Sequence, residues 1–200
     1  MSLAWLARRA GAMILRPART WETVAPEPGG ERQVLGRFVA PLAAIPAVCG
    51  ALGTYLFGIS FADVGVRPSL VSILSEAVVG YVLTLVGVWG LAWLVAAMGP
   101  LFGGRRERDQ ALKLVGYSGA AAWVAGSAHL YPNLALPVGL LAALWCAWTL
   151  YLGLPRLMRP DPERALTYFA SILLASLAVG ALRALAIARA AELGGPLQFS

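Results

Sequence analysis

Charge is scarce in this chain. Only 13% of its 200 residues are Asp, Glu, Lys or Arg, about half the share of an ordinary soluble domain. So few charges cannot cover the surface of a water-soluble fold of this size. Hydrophobic residues make up 59% before the 22 glycines are counted, against about 45–50% with glycine included in soluble domains. Disorder is excluded as well, because disordered chains are poor in apolar residues. Metal-ligating residues are equally thin. There is one histidine, and the two cysteines, Cys49 and Cys146, stand far apart inside apolar runs. Neither lies in a CxxC, and together they cannot furnish a four-ligand zinc site. They read as small buried hydrophobes, and no metal or cofactor is expected.

Catalytic motifs are missing too. The chain contains no P-loop, no GxGxxG after a strand, no HExxH and no GxSxG elbow. Gly126-Ser127-Ala128-His129 superficially suggests a serine hydrolase. Residues two apart on a helix point in different directions, however, so the pair cannot act together. No catalytic residue is assigned and no enzymatic activity is expected.

What the chain does contain is long apolar runs. A crossing needs about 20 predominantly apolar residues, the hydrocarbon thickness divided by the rise of a helix. Five stretches qualify: 38–59, 71–98, 112–131, 134–154 and 166–187. The first carries Pro41 and Pro46 near its start, which loosen its early turns. The second is longer than one crossing requires, so it either tilts or rests its first turn at the interface. The third is the weakest, being rich in Gly and Ser, with Asp109 ahead of it as a cap. Asp161-Pro162-Glu163 reads as the start of the fifth helix. The expected fold is therefore all-α, an integral membrane bundle of five transmembrane helices. It divides into a segment 1–37, the bundle 38–187 and a short tail 188–200.

The basic residues sort by side. Six lie in residues 1–37, four in 105–113 and three in 156–164, thirteen of the 16 in all; only Arg67 and Arg189 fall on the other side, with Arg183 inside the fifth span. That bias predicts a cytoplasmic N-terminus and, with an odd number of crossings, a C-terminus outside. The net charge of +6 is thereby explained by topology, and nucleic acid is not expected as a partner. The first residues lack the uninterrupted apolar core and cleavage site of a signal peptide. Arg8, Arg9, Arg16 and Arg19 instead fall within an arc of about 100° on an amphipathic helix. Two readings stand side by side: an interfacial helix touching anionic lipids through these arginines, or a helix packed on the bundle with a solvated basic face.

Ionisable residues within spans are functional candidates by default. Glu76 and Arg183 fall at similar depth near the outer end, as a candidate intramembrane polar pair or the walls of one pocket, against simple snorkelling to the interface. His129, near Tyr131 at the outer side, is either an interfacial residue or a pH-sensitive one. Ala77, Gly80, Thr84 and Gly87 form one small-residue stripe, and Ser176, Gly180 and Ala184 another, suited to close helix approach. Such stripes serve contacts within one chain and between copies alike, so a homo-oligomer stays open. Trp5, Trp21, Trp123, Tyr131, Tyr151 and Tyr168 suit interfacial or inter-helix places. Trp89, Trp93, Trp145 and Trp148 are expected in the core.

Two segments carry a family resemblance. Ala111-Leu112-Lys113-Leu114-Val115-Gly116-Tyr117-Ser118, followed by Ala122-Trp123-Val124-Ala125-Gly126, resembles the central signature of the Yip (Ypt/Rab-interacting) membrane proteins. Leu150-Tyr151-Leu152-Gly153-Leu154-Pro155 and Met158 resemble that family's end of the fourth span, while Arg16-Pro17, Thr20-Trp21, Glu27 and Pro41-Leu42 resemble its bacterial branch. The likeness covers roughly residues 15–185. Ala121 stands where family members commonly have a proline. The resemblance implies a multi-pass helical protein of the cell inner (plasma) membrane, with a cytoplasmic N-terminal region and no known catalytic residues. Eukaryotic relatives bind small GTPases, a role that does not transfer from likeness alone. The expectation is a non-enzymatic protein organising the lipid bilayer, lipids or a membrane or cytoplasmic protein partner. The alternative is a small-solute or ion transporter using a polar site near Glu76, His129 and Arg183.

Overall fold

The structure, a computed structural model, describes residues 2–61, 64–192 and 198–199. Helix α1 (Leu3–Leu15) is capped by Ser2, whose hydroxyl accepts from the Trp5 backbone N–H at 3.3 Å. It buries Leu6, Ala10 and Met13, one stripe at helical spacing. The chain breaks at Arg16 (φ −143°), because the residue before a proline is pushed out of helical geometry. Pro17 then opens α2 (Pro17–Val24), which buries Thr20, Trp21 and Val24. Helix α1 packs on the bundle while Arg8, Arg16 and Arg19 stay exposed. Its apolar stripe faces the bundle.

A π-helical stretch, Arg32–Val39, runs into α3 (Ala40–Phe57), which ends at Gly58 with φ +66°. Next comes α4 (Leu70–Met98), capped by the Ser69 hydroxyl on the Ser72 N–H at 3.1 Å. A 3₁₀ turn, Gly99–Phe102, follows. At Gly103 the chain takes φ +72°, and the Asp161 carboxyl occupies the space a side chain would need. Two backbone bonds, Arg105 N–H to Met158 O and Asp161 N–H to Phe102 O, both 2.9 Å, clasp this turn to the α7–α8 connection.

The third expected span departs most from a single helix. Its residues form α5 (Arg108–Ser118), α6 (Ala120–Ala125) and a 3₁₀ run, Gly126–Leu130. Glu107 is the N-cap residue, and Asp109 lies inside the first turn, where its charge suits the helix dipole. Gly119 stands between α5 and α6, and glycine is required there because a Cβ would stand 2.8 Å from the Trp123 ring. Helices α7 (Pro132–Leu157) and α8 (Ala165–Glu192) complete the bundle. α8 starts four residues beyond Asp161, which corrects the expected cap. Much of the expected tail, 188–192, is still helix, while residues 193–197 and 200 lie outside the described set.

Among the described residues, four helical stretches are long and apolar enough to cross a membrane: Arg32–Phe57, Leu70–Phe102, Asn133–Leu157 and Ala165–Arg189. The broken run α5–α6 is not among them. Among the described residues, three short strands, β1 (Ile59–Phe61), β2 (Val64–Arg67) and β3 (Gln198–Phe199), pair antiparallel in that order. They bring the α3–α4 connection and the chain's end to the same pole.

Packing is uneven along the bundle. The buried cluster gathers α1, α2, the π-helical stretch, the last turns of α4, α5, Trp123 of α6, the end of α7 and the start of α8. This half carries most of the arginines and is called the basic end below. Towards the other pole few residues are buried, and α8 packs extensively only along α4.

Candidate functional site

Two places gather the residues singled out in the sequence. The first is the basic end. The Trp21 indole is fully buried and its N–H donates to the Thr149 carbonyl at 2.9 Å. It rests on Gly153, where a Cβ would come within 2.6 Å of its ring, and stands edge-on to Tyr117. Tyr117 in turn packs on Phe38 at 4.5 Å between ring centroids, and Phe38 on Trp123 at 6.3 Å. Segments widely separated in sequence thus close on one aromatic core. Gly153 is required for close approach, which explains a glycine late in an otherwise bulky α7.

Lys113 was the residue that sequence reading missed. It counted there only as one more cytoplasmic charge. In the structure it is 2% exposed, and its ammonium donates to the carbonyls of Val24 (3.3 Å), Ala25 (3.5 Å) and Glu27 (2.5 Å). The last carbonyls of a helix have no partners within it, and a lysine is suited to satisfy them. Gln110 adds a bond from its side-chain N–H to the Ala25 carbonyl. The available signal was a lysine inside the apolar run Ala111–Tyr117, where a charge without a partner would be costly.

The four N-terminal arginines do not act as one set. Arg9 turns inward, donating to both oxygens of Glu27 at 2.7 Å and lying over the rings of Trp5 and Tyr117. Arg8, Arg16 and Arg19 are exposed, with Arg8 folded back on the Ala4 carbonyl. Ion pairs from Arg156 to Glu22 and from Arg108 to Glu31 further tie the N-terminal segment to the bundle.

The tryptophans expected in the core are on the outside: Trp89, Trp93, Trp145 and Trp148 are 43, 51, 41 and 50% exposed. The reason is that α4 and α7 turn these faces away from the bundle. Two of the indoles bond to polar atoms of the basic end, Trp89 donating to Glu31 at 3.0 Å and Trp145 to the Ile14 carbonyl at 3.1 Å. Trp21, Trp123 and Tyr168 take inter-helix places, the Tyr168 hydroxyl donating to the Val95 carbonyl. Cys49 and Cys146 are free thiols, partly buried.

The second place is a cavity of about 640 Å³ between α3, α4, α6 with its 3₁₀ extension, and α8. Glu76, His129 and Arg183 all line it. Glu76 and Arg183 share this space without an ion pair. The Arg183 Nε–H donates instead to the Thr84 hydroxyl (3.1 Å) and the Gly80 carbonyl (3.4 Å). The similar depth expected from the sequence is corrected by the register of the two helices. Gly80 faces Ile187 and Gly87 faces Val179, so Arg183 reaches a level deeper than Glu76. The small residues of α4 receive Val179, Arg183 and Ile187, whereas Gly180 of the α8 stripe faces open space. The His129 ring sits at 2.9 Å from the Gly126 carbonyl through Nδ1. Gly53 lets the 3₁₀ run approach α3, since a Cβ there would clash with the His129 carbonyl at 2.3 Å.

Residues 11–183 match the family model of the Yip1 domain. The chain belongs to the Yip1 domain family. Similar proteins of this family include the inner membrane protein YohC of Escherichia coli strain K12, 29% identical over 144 residues, which are 70% of this chain and 72% of the relative. The protein of the same name from E. coli O6:H1 (strain CFT073) gives the same figures. No solved structure matches. The Yip1 match spans both the aromatic core and the cavity. With a family member of the inner membrane as relative and four helices of crossing length, the chain is a multi-pass membrane protein.

Proposed function

We infer that this Yip1 domain protein is a non-catalytic inner-membrane protein that crosses the bilayer five times and presents a rigid, basic cytoplasmic end to anionic headgroups or a protein partner. The observation that carries this is the locking of residues 3–27 into the bundle by Lys113, Trp21 and the Arg9–Glu27 pair. A basic segment held in this way is a surface and not a loose tail. Arg8, Arg16 and Arg19 lie exposed on it, as do Arg37, Arg105, Arg106 and Arg159. The outward tryptophans support a boundary just below, since indoles favour the headgroup level with one edge wet.

The fifth crossing is the broken run. It starts beside Glu31 and Trp89 through Arg108 and ends beside α3, where the Tyr131 ring packs tilted on Phe57, 5.4 Å between centroids. Its breaks stand among protein helices, which is where irregular backbone at membrane depth is tolerated. Reporter fusions test the topology: activity requiring the cytoplasm is expected at residue 30 and activity requiring the outside after residue 189. A cytoplasmic signal at both would sink the five-crossing reading.

A carrier reading rests on the cavity alone. Against it, the basic end beside the cavity is filled by the aromatic core of Phe38, Tyr117 and Trp123, and Trp123 is itself a wall of the cavity. Proteoliposomes with a panel of ions and small solutes are expected to show no flux above empty vesicles; flux abolished by Glu76→Gln in a folded protein would favour the carrier.

A further inference from the structure

The cavity between α3, α4, the 3₁₀ run and α8 is a better fit for a lipid headgroup than for a route across the membrane. Its walls are mostly small and apolar: Ala47, Gly50, Ala77, Gly80, Gly87 and Gly180 among them. Into this lining project two opposite charges that do not neutralise each other. The Glu76 carboxylate has no hydrogen-bond partner among the described residues, and Arg183 commits only Nε, so both of its terminal nitrogens are open. Charges at membrane depth without partners are costly. An occupant that carries both complementary charges would relieve both at once.

We propose that this cavity binds one phospholipid with a primary-amine headgroup, of the phosphatidylethanolamine type. Its phosphate bridges the terminal nitrogens of Arg183, and its ammonium meets Glu76. The inference rests on the multi-pass reading above. The order of the charges matches the order of groups in such a lipid entering from the outer leaflet. Glu76 stands nearer the start of α4, while Arg183 is held at Gly80 and Thr84, about 6 Å or more further along the axis. That puts the ammonium outermost and the phosphate deeper. The acyl chains continue past Gly87, Val88 and Leu91. Arginine suits phosphate because its planar fork donates two parallel bonds.

The amine should be primary. The residues of α4 that line the cavity next to Glu76 are Ile73, Ala77 and Gly80, none of them aromatic. A quaternary ammonium is held by an aromatic cage, whereas a primary ammonium offers N–H donors to a carboxylate. Lateral entry is open because α8 packs extensively only on α4, leaving α3 and α8 on opposite sides of the cavity without extensive packing between them.

Native mass spectrometry of the full chain, released from detergent with defined lipids, tests the assignment. Ethanolamine-, choline- and glycerol-headgroup phospholipids of identical chains would be titrated separately, with free phosphoethanolamine as a fourth probe. The expected result is one retained ethanolamine lipid, preferred over the other two by about tenfold, as one lost charge-assisted bond implies, and no retention of free phosphoethanolamine. Glu76→Gln should bring the three lipids to near parity, and Arg183→Gln should weaken all three. Gly180→Leu, which fills open space in the cavity, should displace the lipid without touching either charge and covers the case in which Arg183→Gln does not fold. Equal retention of all three headgroups by the wild type, unchanged retention in Gly180→Leu, or binding of free phosphoethanolamine would overturn the proposal. The reporter fusions read topology independently, so a failure there is distinguishable from a failure here.

Discussion

The two ends of this bundle are built by different rules. At the basic end, eight consecutive residues from Ala111 to Ser118 are buried, and the aromatic rings of Trp21, Phe38, Tyr117 and Trp123 interlock around them. Towards the other pole, the same helices spread, expose leucines such as Leu140, Leu144, Leu177 and Leu185, and enclose a cavity. The difference follows from the solvent. Where the end meets water, apolar side chains must be covered by protein, and α1 and α2 supply the cover. Where the helices meet lipid tails, exposed leucine carries no penalty, so tight packing is not enforced.

That contrast predicts where substitution hurts. Trp21→Ala removes a fully buried indole and its bond to Thr149, and should destabilise by about 3–5 kcal/mol; unfolding in a mixed-detergent titration would measure it. A loss under about 1 kcal/mol would mean the basic end is not a close-packed core. Lys113→Met takes a donor from three carbonyls, of which Val24 keeps the Glu27 N–H and Ala25 keeps Gln110, and should destabilise by about 2 kcal/mol. Its clearer signature is local: limited proteolysis should cut between residues 24 and 32 while the rest of the chain stays resistant. The Arg9–Glu27 pair is only partly buried, so a double-mutant cycle should give a coupling of about 1 kcal/mol. In the lipid-facing half, Gly180→Ala meets open space and gains helix propensity, so it should stabilise by about 0.5 kcal/mol. A marked loss there would show that the cavity half is packed more tightly than its side chains imply.

The legibility of the chain follows the same division. The apolar runs of α3, α4, α7 and α8 stand out because a helix in lipid needs little more than length and hydropathy. The third run was legible as a segment but not as a broken one, since glycine is common within membrane helices and does not by itself mark where one ends. Glu76, His129 and Arg183 were singled out from their rarity, and all three line one cavity. Their relative depth depended on the register of α8 against α4, set by which small residues face which neighbours. The tryptophans of α4 and α7 were misplaced for a related reason: rotation of a helix that is hydrophobic all round cannot be read from periodicity.

By itself, the sequence determined that this chain belongs in a bilayer, that its basic residues gather on one side, and which few charges stand within the spans. These follow from hydropathy and charge counts, which are properties of single segments. Only the tertiary structure decided that the N-terminal segment is part of the core, that Lys113 holds it there, and that Arg183 reaches Thr84 without pairing with Glu76. Those depend on contacts between residues about 90 or 100 positions apart, and such contacts leave no local trace, because burial, partner and depth are set by the neighbour and not by the residue.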